Sequence, residues 1–411
     1  MAIIKAFKAI RPARDKAPFL ASRSYEDYTV KELNSILTYN PFSFLHIINP
    51  GFKFDKKVSG GERLRLIRNR YLEFLEDEIL IRDTQPSFYL YKIEKEDFSC
   101  CGLFCGTSVE DYKNNVIKKH EDTIKHRENL FAVYLKNVGF NAEPVLLTYP
   151  DNTNIEKIID EVKKREPEYR FSTTDKAIHS LWTITKETDI SKLQEEFNKI
   201  DSLYIADGHH RSASSMIFAD KSKKCNQVHT GEEPYNYFMS YLIPESEIKI
   251  FEFNRMIKDL NGLTKEEFLV ALDTYFKIEK KGKALYKPLE KHQFSMYLDG
   301  DFFALQLRKQ IFKFSDALSK LDTQILYKTI LEPILGISDL RKNKRIKYGF
   351  GKNNIFNMKD EIDKRNFAVG FGMVPVSIDE LKNIADAGLV MPPKSTYIEP
   401  KIRSGLTIYE L

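Results

Sequence analysis

The chain has 411 residues, 42% hydrophobic and 30% charged, with 64 Lys and Arg set against 59 Asp and Glu. This composition excludes a disordered or fibrous chain, and a net charge of +5 is too evenly balanced to demand a nucleic-acid partner. The length calls for two cores or one elaborated core, the four cysteines make no disulfide framework, and no apolar run approaches a membrane span, so the expectation is a cytoplasmic protein.

In chain order, "AIIKAFKAI" (2–10) and "SFLHII" (43–48) read as strands, with a helix at 30–37 between them. The period of 61–77 predicts a helix with Leu64, Ile67, Tyr71 and Leu75 on one face. "SFYLYKIEKED" (87–97) and "CGLFCGTSV" (101–109) predict neighbouring strands. Cys101 and Cys105 lack a matching second pair and predict small buried strand residues, not a zinc site. One long polar helix is predicted over 109–139, then a strand over 142–150 ended by Pro150. An alternation follows: helix 154–164, strand 179–185, helix 190–200 with Asp189 as its N-cap, strand 203–206 and helix 211–219. The polar stretch 223–236 predicts a break. Strands over 237–244 and 248–255, a helix over 264–275, strands within 293–308, a helix over 315–332 and a strand over 366–374 complete the pattern. The tail, "VMPPKSTYIEPKIRSGLTIYEL" (390–411), predicts an ordered, donor-rich loop. The class is α+β (mixed α/β), with domains expected at 1–235 and 236–411, the second closing the site.

The stretch "YIADGHHRSASS" (204–215) carries the chemistry. A strand running through an Asp-Gly turn into a helix leaves backbone N–H groups aimed outward, where their partial charges favour an anion. Gly208 permits positive φ and close approach of a ligand. His209, His210 and Arg211 add donors, Arg being able to grip a phosphate through two parallel bonds, and Ser212 follows in the same turn. Asp207 cannot bind an anion directly; it could hold a Mg²⁺ ion bridging phosphate oxygens or orient an imidazole.

Other clusters are less directed. "IKKHEDTIKHRE" (117–128) places Lys119, His120, Glu121 and Thr123 on the predicted polar helix, where a solvated face laced with ion pairs is an equal reading. Its histidine spacing does not match a zinc protease. In "ASRSYEDY" (21–28), Arg23, Glu26 and Asp27 precede a helix, and one of the carboxylates could act as a general base. Lys394, Ser395 and Thr396 in the tail could donate to an anion or form a structural clasp. Phosphate-loop, protein-kinase, nucleophile-elbow and dinucleotide fingerprints are all missing from the sequence.

"AIRP", "NPFSFLHI", "IKKHE", "NAEPVLLTY", "ADGHHR", "FNR" (253–255), "LGI" and "MPPKSTYIEPKIRSGL" occur in this order. Together they resemble the bacterial family called domain of unknown function 1015, over essentially the whole chain. The resemblance implies kinship with free L-serine kinases built on a ParB/sulfiredoxin-like core, followed by a second α/β C-terminal region. It implies transfer of a phosphoryl group from ATP or ADP, with Mg²⁺, to the hydroxyl of free serine. A Gly-x-x-Arg turn cradles phosphate in that superfamily, and Gly208 to Arg211 match it. The FNR motif adds Asn254 and Arg255 as site candidates. Where relatives commonly read Pro-Tyr-Asp, this chain has Ser24-Tyr25-Glu26, which keeps a carboxylate one methylene longer. The role of general base therefore passes to Glu26, with Asp207, His209 and His210 as the other catalytic candidates. The alternative from another class is a nucleotide-sensing, ParB-like DNA-binding regulator, against which stand the missing helix-turn-helix and basic domain. A sulfiredoxin-like reductase would need a cysteine at the phosphate turn, and 204–215 has none. The expected partners are a small amino acid and a nucleotide.

Overall fold

A computed structural model describes residues 1–310, 313–351 and 353–411. They form two compact units, one of residues 1–119, 123–248 and 400–411, the other of 120–122 and 249–399. The fold class is α+β.

The first unit is built on a mixed sheet of nine described strands: β1 (Ile4–Lys5), β2 (Phe88–Lys95), β3 (Phe98–Ser108), β4 (Ile117–Lys118), β5 (Val145–Tyr149), β6 (Tyr169–Ser172), β7 (Ile178–Ile184), β8 (Leu203–Asp207) and β9 (Tyr237–Pro244). Their order is β4-β8-β5-β9-β3-β2-β7-β6, with β1 pairing the end of β3. β4 runs parallel to β8 and β5 parallel to β9, and the other pairings are antiparallel. Strand side chains alternate between faces. Phe88, Leu90, Leu103, Val145, Leu147, Trp182, Leu203, Ile205 and Leu242 meet apolar residues of α4 (Thr153–Lys163), α5 (Glu187–Asn198) and α6 (His209–Cys225) in one core. The alternate residues Tyr91, His179, Met239 and Tyr241 face the other way, and Thr407 of the C-terminal tail donates to Met239 Sδ there. A satellite core joins α2 (Gly60–Glu76) and α3 (Lys125–Val138) through Ile67, Tyr71 and Val138, and α1 (Val30–Tyr39) opens with a Thr29/Glu32 capping box.

Most predicted elements form, and the exceptions have local causes. The "SFLHII" strand is a short helix, Leu45–Ile48, entered through a turn in which Ser43 N–H bonds Asn40. The single helix over 109–139 breaks, because Asn115 takes a left-handed φ of 59° and the chain then pairs as β4 with β8. Val109–Lys113 and α3 remain helical, and Lys119, His120, Glu121 and Thr123 lie in the connection between them and share no helix face. Asp189 is not the N-cap of α5; Lys186 is, and Asp189 sits in the first turn, pairing with Arg165. Cys100, Cys101 and Cys105 are buried strand residues, as predicted, and burial pushes the Cys101 thiol up to about 12. Residues 223–236 form the end of α6 and a surface connection within the first unit, not a boundary next to residue 235, since β9 hydrogen-bonds β3 and β5.

The second unit carries an antiparallel six-stranded sheet: β10 (Asn254–Ile257), β11 (Phe276–Gly282), β12 (Gln293–Leu298), β13 (Asp301–Leu307), β14 (Ile346–Gly349) and β15 (Val369–Met373), in the order β11-β13-β12-β15-β10-β14. Ile257, Phe294, Met296, Leu305 and Phe371 pack with α7 (Lys265–Asp273) on one face, while Met256 and Tyr297 meet α8 (Asn354–Asp363) on the other. The helix predicted over 315–332 is regular only at Asp322–Leu326, continuing as a π turn over Tyr327–Leu331, while 315–321 form loop and turn. α8 and α9 (Ile378–Asp386) were missed at the sequence level, although α9 opens with a Ser377/Glu380 capping box.

The C-terminal tail is ordered. Ser404 exchanges two backbone hydrogen bonds with Ser22, and Tyr409–Glu410 pairs with Phe140–Asn141.

Candidate functional site

β8 ends at Asp207 and α6 begins at His209, so Gly208 makes the whole turn. Its φ is 105°, a conformation that side-chain-bearing residues rarely adopt, and a Cβ there would stand 3.2 Å from Arg211 Cζ. The turn therefore needs glycine on two counts. α6 has seventeen residues and no side chain caps its start, so the first-turn amides face outward as helix geometry requires. Behind them, the hydroxyls of Ser212, Ser214 and Ser215 donate back to the carbonyls of Gly208, His210 and Arg211. Those serines are buried and serve the helix; Ser212, predicted as a phosphate contact, spends its hydroxyl on the turn.

Asp207 accepts from both Arg211 Nη2 at 3.3 Å and Lys401 Nζ at 3.4 Å, on the same oxygen, Oδ2. Its crowded surroundings push the carboxyl up, but the two cations outweigh them and hold it at about 2. The carboxylate is ionised throughout the neutral range while its side chain keeps 44% exposure. Arg211 also donates through Nη1 to the Pro144 carbonyl, tying the helix start to the segment entering β5. His209 is buried beside this turn and His210 is partly exposed.

The N-terminal candidates sit on a 3₁₀ turn at Tyr25–Asp27, three residues beyond the Ser22–Ser404 pairing. Glu26 is exposed. Arg23 does not join the Gly208 turn: its guanidinium pairs with Glu32 at 3.1 Å and lies over the Tyr28 ring. Lys119 lies over Tyr112, and Thr123 donates to Glu128. His120 is fully buried, burial pulls its imidazole down to about 4, and its carbonyl accepts from Met391 N–H.

The remaining candidates belong to the second unit. Arg255 is buried and donates to the carbonyls of Phe253 and Lys394. Burial alone pulls its guanidinium down to about 10. Lys394 takes φ 57° with its ammonium over the Phe253 ring, and Ser395 donates to Pro392 O and to Thr323 Oγ1. Asn254 is buried on β10, and Thr396 follows the same loop.

Residue-type reasoning missed Lys401 and a hydrogen-bonded chain in the first unit. Tyr91 OH meets His179 Nδ1 at 2.7 Å, His179 Nε2 meets Thr173 Oγ1 at 3.0 Å, Thr173 donates to Asp175, and Arg403 donates to Asp175 at 2.6 Å. The signal was the tail's "PKIR", whose two cations a sequence cannot assign to partners so far away in the chain. Among the described residues there is no cluster of three metal-ligating side chains. A groove of about 580 Å³ lies along β6, lined by Arg14, Arg165 and Arg170 among others, and none of the α6-start residues lines it. No described helix is long and apolar enough to cross a membrane.

The fold and this turn define an α+β protein with an uncapped helix start at a sheet-strand end, bordered by an ionised carboxylate and two cations. The chain belongs to the family described as Protein of unknown function (DUF1015), whose model matches residues 4–324. No curated protein matches it. Among solved structures it is similar to a free serine kinase in complex with AMP (14% identity, 74% of this chain and 91% of that one, TM-score 0.36). It is likewise similar to a conserved hypothetical protein from Pyrococcus furiosus (14%, 74% and 94%, 0.35) and to a C-terminally truncated SbnI from Staphylococcus aureus (10%, 74% and 87%, 0.39).

Proposed function

We propose that this protein is a nucleotide-dependent phosphotransferase that phosphorylates the hydroxyl of free L-serine, using ATP or ADP. The observation that carries the reading is the Gly208 turn: an uncapped seventeen-residue helix start whose approach is flanked by Arg211 and Lys401. Outward amides and a helix dipole favour a phosphate, and the cations add charge-assisted donors. The family resemblance of the sequence motifs supports the choice of serine.

Phosphoryl transfer asks mainly for positioning and charge stabilisation. The bond between the terminal phosphorus and the leaving nucleotide oxygen breaks as the bond from serine Oγ to phosphorus forms. Glu26, exposed on its turn, takes the hydroxyl proton. Gly208, His209, His210 and Arg211 hold the phosphate end of the nucleotide. A single half-exposed, ionised carboxylate fits Mg²⁺ that is held mainly by phosphate oxygens, and Asp207 is the residue that would hold it. Bound Mg²⁺ would neutralise phosphate charge. The test is turnover of Glu26→Gln beside calorimetric ADP binding. A base role demands that turnover fall at least about 100-fold with binding intact; unchanged turnover removes Glu26 from the mechanism.

A further inference from the structure

Arg211 and Lys401 meet on one carboxylate oxygen, yet they are not equivalent. Arg211 also donates to the Pro144 carbonyl and lies against Gly208, and its side chain is 24% exposed. Its guanidinium also holds a strand end, a turn and a helix start together. Lys401 is 40% exposed and reaches Asp207 at 3.4 Å, on a flexible stem with three donors. Its backbone, by contrast, is anchored: Ser404 pairs with Ser22, and Arg403 is fastened to Asp175 at the end of the Tyr91–His179–Thr173 chain. The returning tail thus carries an anchored backbone and a partly exposed ammonium to the rim of the phosphate turn.

We propose that Lys401 is a further phosphate-contacting cation of this site beside Arg211, with Asp207 as its positioning residue. The inference rests on the reading of the turn as a phosphate site and adds a residue that its motif does not contain. When a nucleoside diphosphate or triphosphate occupies the helix start, the Lys401 ammonium turns from Asp207 Oδ2 to a phosphate oxygen, an exchange of ion-pair partners in which no covalent bond changes.

The experiment titrates ADP, inorganic pyrophosphate and adenosine into the full chain as wild type, Lys401→Met and Lys401→Arg, at low and moderate salt. The expected result is that Lys401→Met weakens ADP and pyrophosphate about 10- to 100-fold, the span of a charged hydrogen bond. Adenosine binding stays unchanged, the salt dependence flattens, and Lys401→Arg recovers most of the affinity. Bound ADP also slows acylation of the Lys401 ε-amine in the wild-type protein, read by mass spectrometry. Wild-type ADP affinity in Lys401→Met, or acylation that ADP does not slow, overturns the assignment of Lys401 alone. Wild-type protein that binds neither ADP nor pyrophosphate overturns the phosphate-site reading itself, and this inference with it.

Discussion

Lys401 Nζ stands 3.4 Å from Asp207 Oδ2 although 194 positions separate the two residues. Between them the chain builds the second unit and then returns, so the charge balance at the α6 start depends on a segment that follows everything else. Asp207 is held ionised by one cation from the helix that follows it and one from the tail.

Acid stability follows from that carboxylate. Its folded pKa of about 2 lies below the ordinary 3.8, so its contribution is fully present above pH ~4 and is lost as pH falls through about 2. Asp207→Asn removes this acid limb. Denaturation midpoints measured from pH 5 to 2 should fall less steeply in the variant, and added salt should shrink the difference because the group is half-exposed.

Gly208→Ala places a Cβ at positive φ and against the Arg211 guanidinium. The expected cost is ~1–3 kcal/mol of stability together with weakened ADP binding. Urea titration and calorimetry check both, and unchanged values in the two would contradict the account of the turn.

Arg211→Ala should destabilise the first unit by ~1–3 kcal/mol, because it leaves the Pro144 carbonyl unpaired and Asp207 with one cation. Arg211→Lys should keep part of the charge but not the two-sided clamp. Urea denaturation of both variants separates the roles.

His179 gives a second pH window. Burial foremost, then Arg403, pulls its imidazole down to about 4 from 6.5. A group whose folded state resists protonation contributes stability above pH ~6.5 that is lost as pH falls towards about 4. His120 and His46 are shifted the same way by burial, so the slope in this window belongs to all three histidines. His179→Gln should flatten the slope only partly and loosen the tail, seen as faster amide exchange around Arg403.

The Asp-Gly-His-His-Arg turn was legible because each residue type there has a local physical reason: the glycine for φ, the strand before it, the helix after it. Helices such as Gly60–Glu76 and strands such as Phe88–Lys95 were legible from their periods. The failures are where a long-range pairing overrode a local pattern. Ile117–Lys118 joins a parallel ladder with β8, which no helical charge pattern could announce. Arg211 illustrates a subtler limit, since its type suggested a ligand grip but could not announce its further tie to the Pro144 carbonyl. Lys401, Arg403 and His179 were hidden because their partners lie far off in sequence.

The central claim is tested most directly by following phosphorus-31 signals of the purified protein with nucleotide, Mg²⁺ and L-serine, beside a serine-free control and Arg211→Ala. The account predicts a new phosphomonoester signal that requires serine and disappears in the variant, with ATP or with ADP as donor. Nucleotide consumed equally without serine, or no phosphomonoester from either donor, would contradict it.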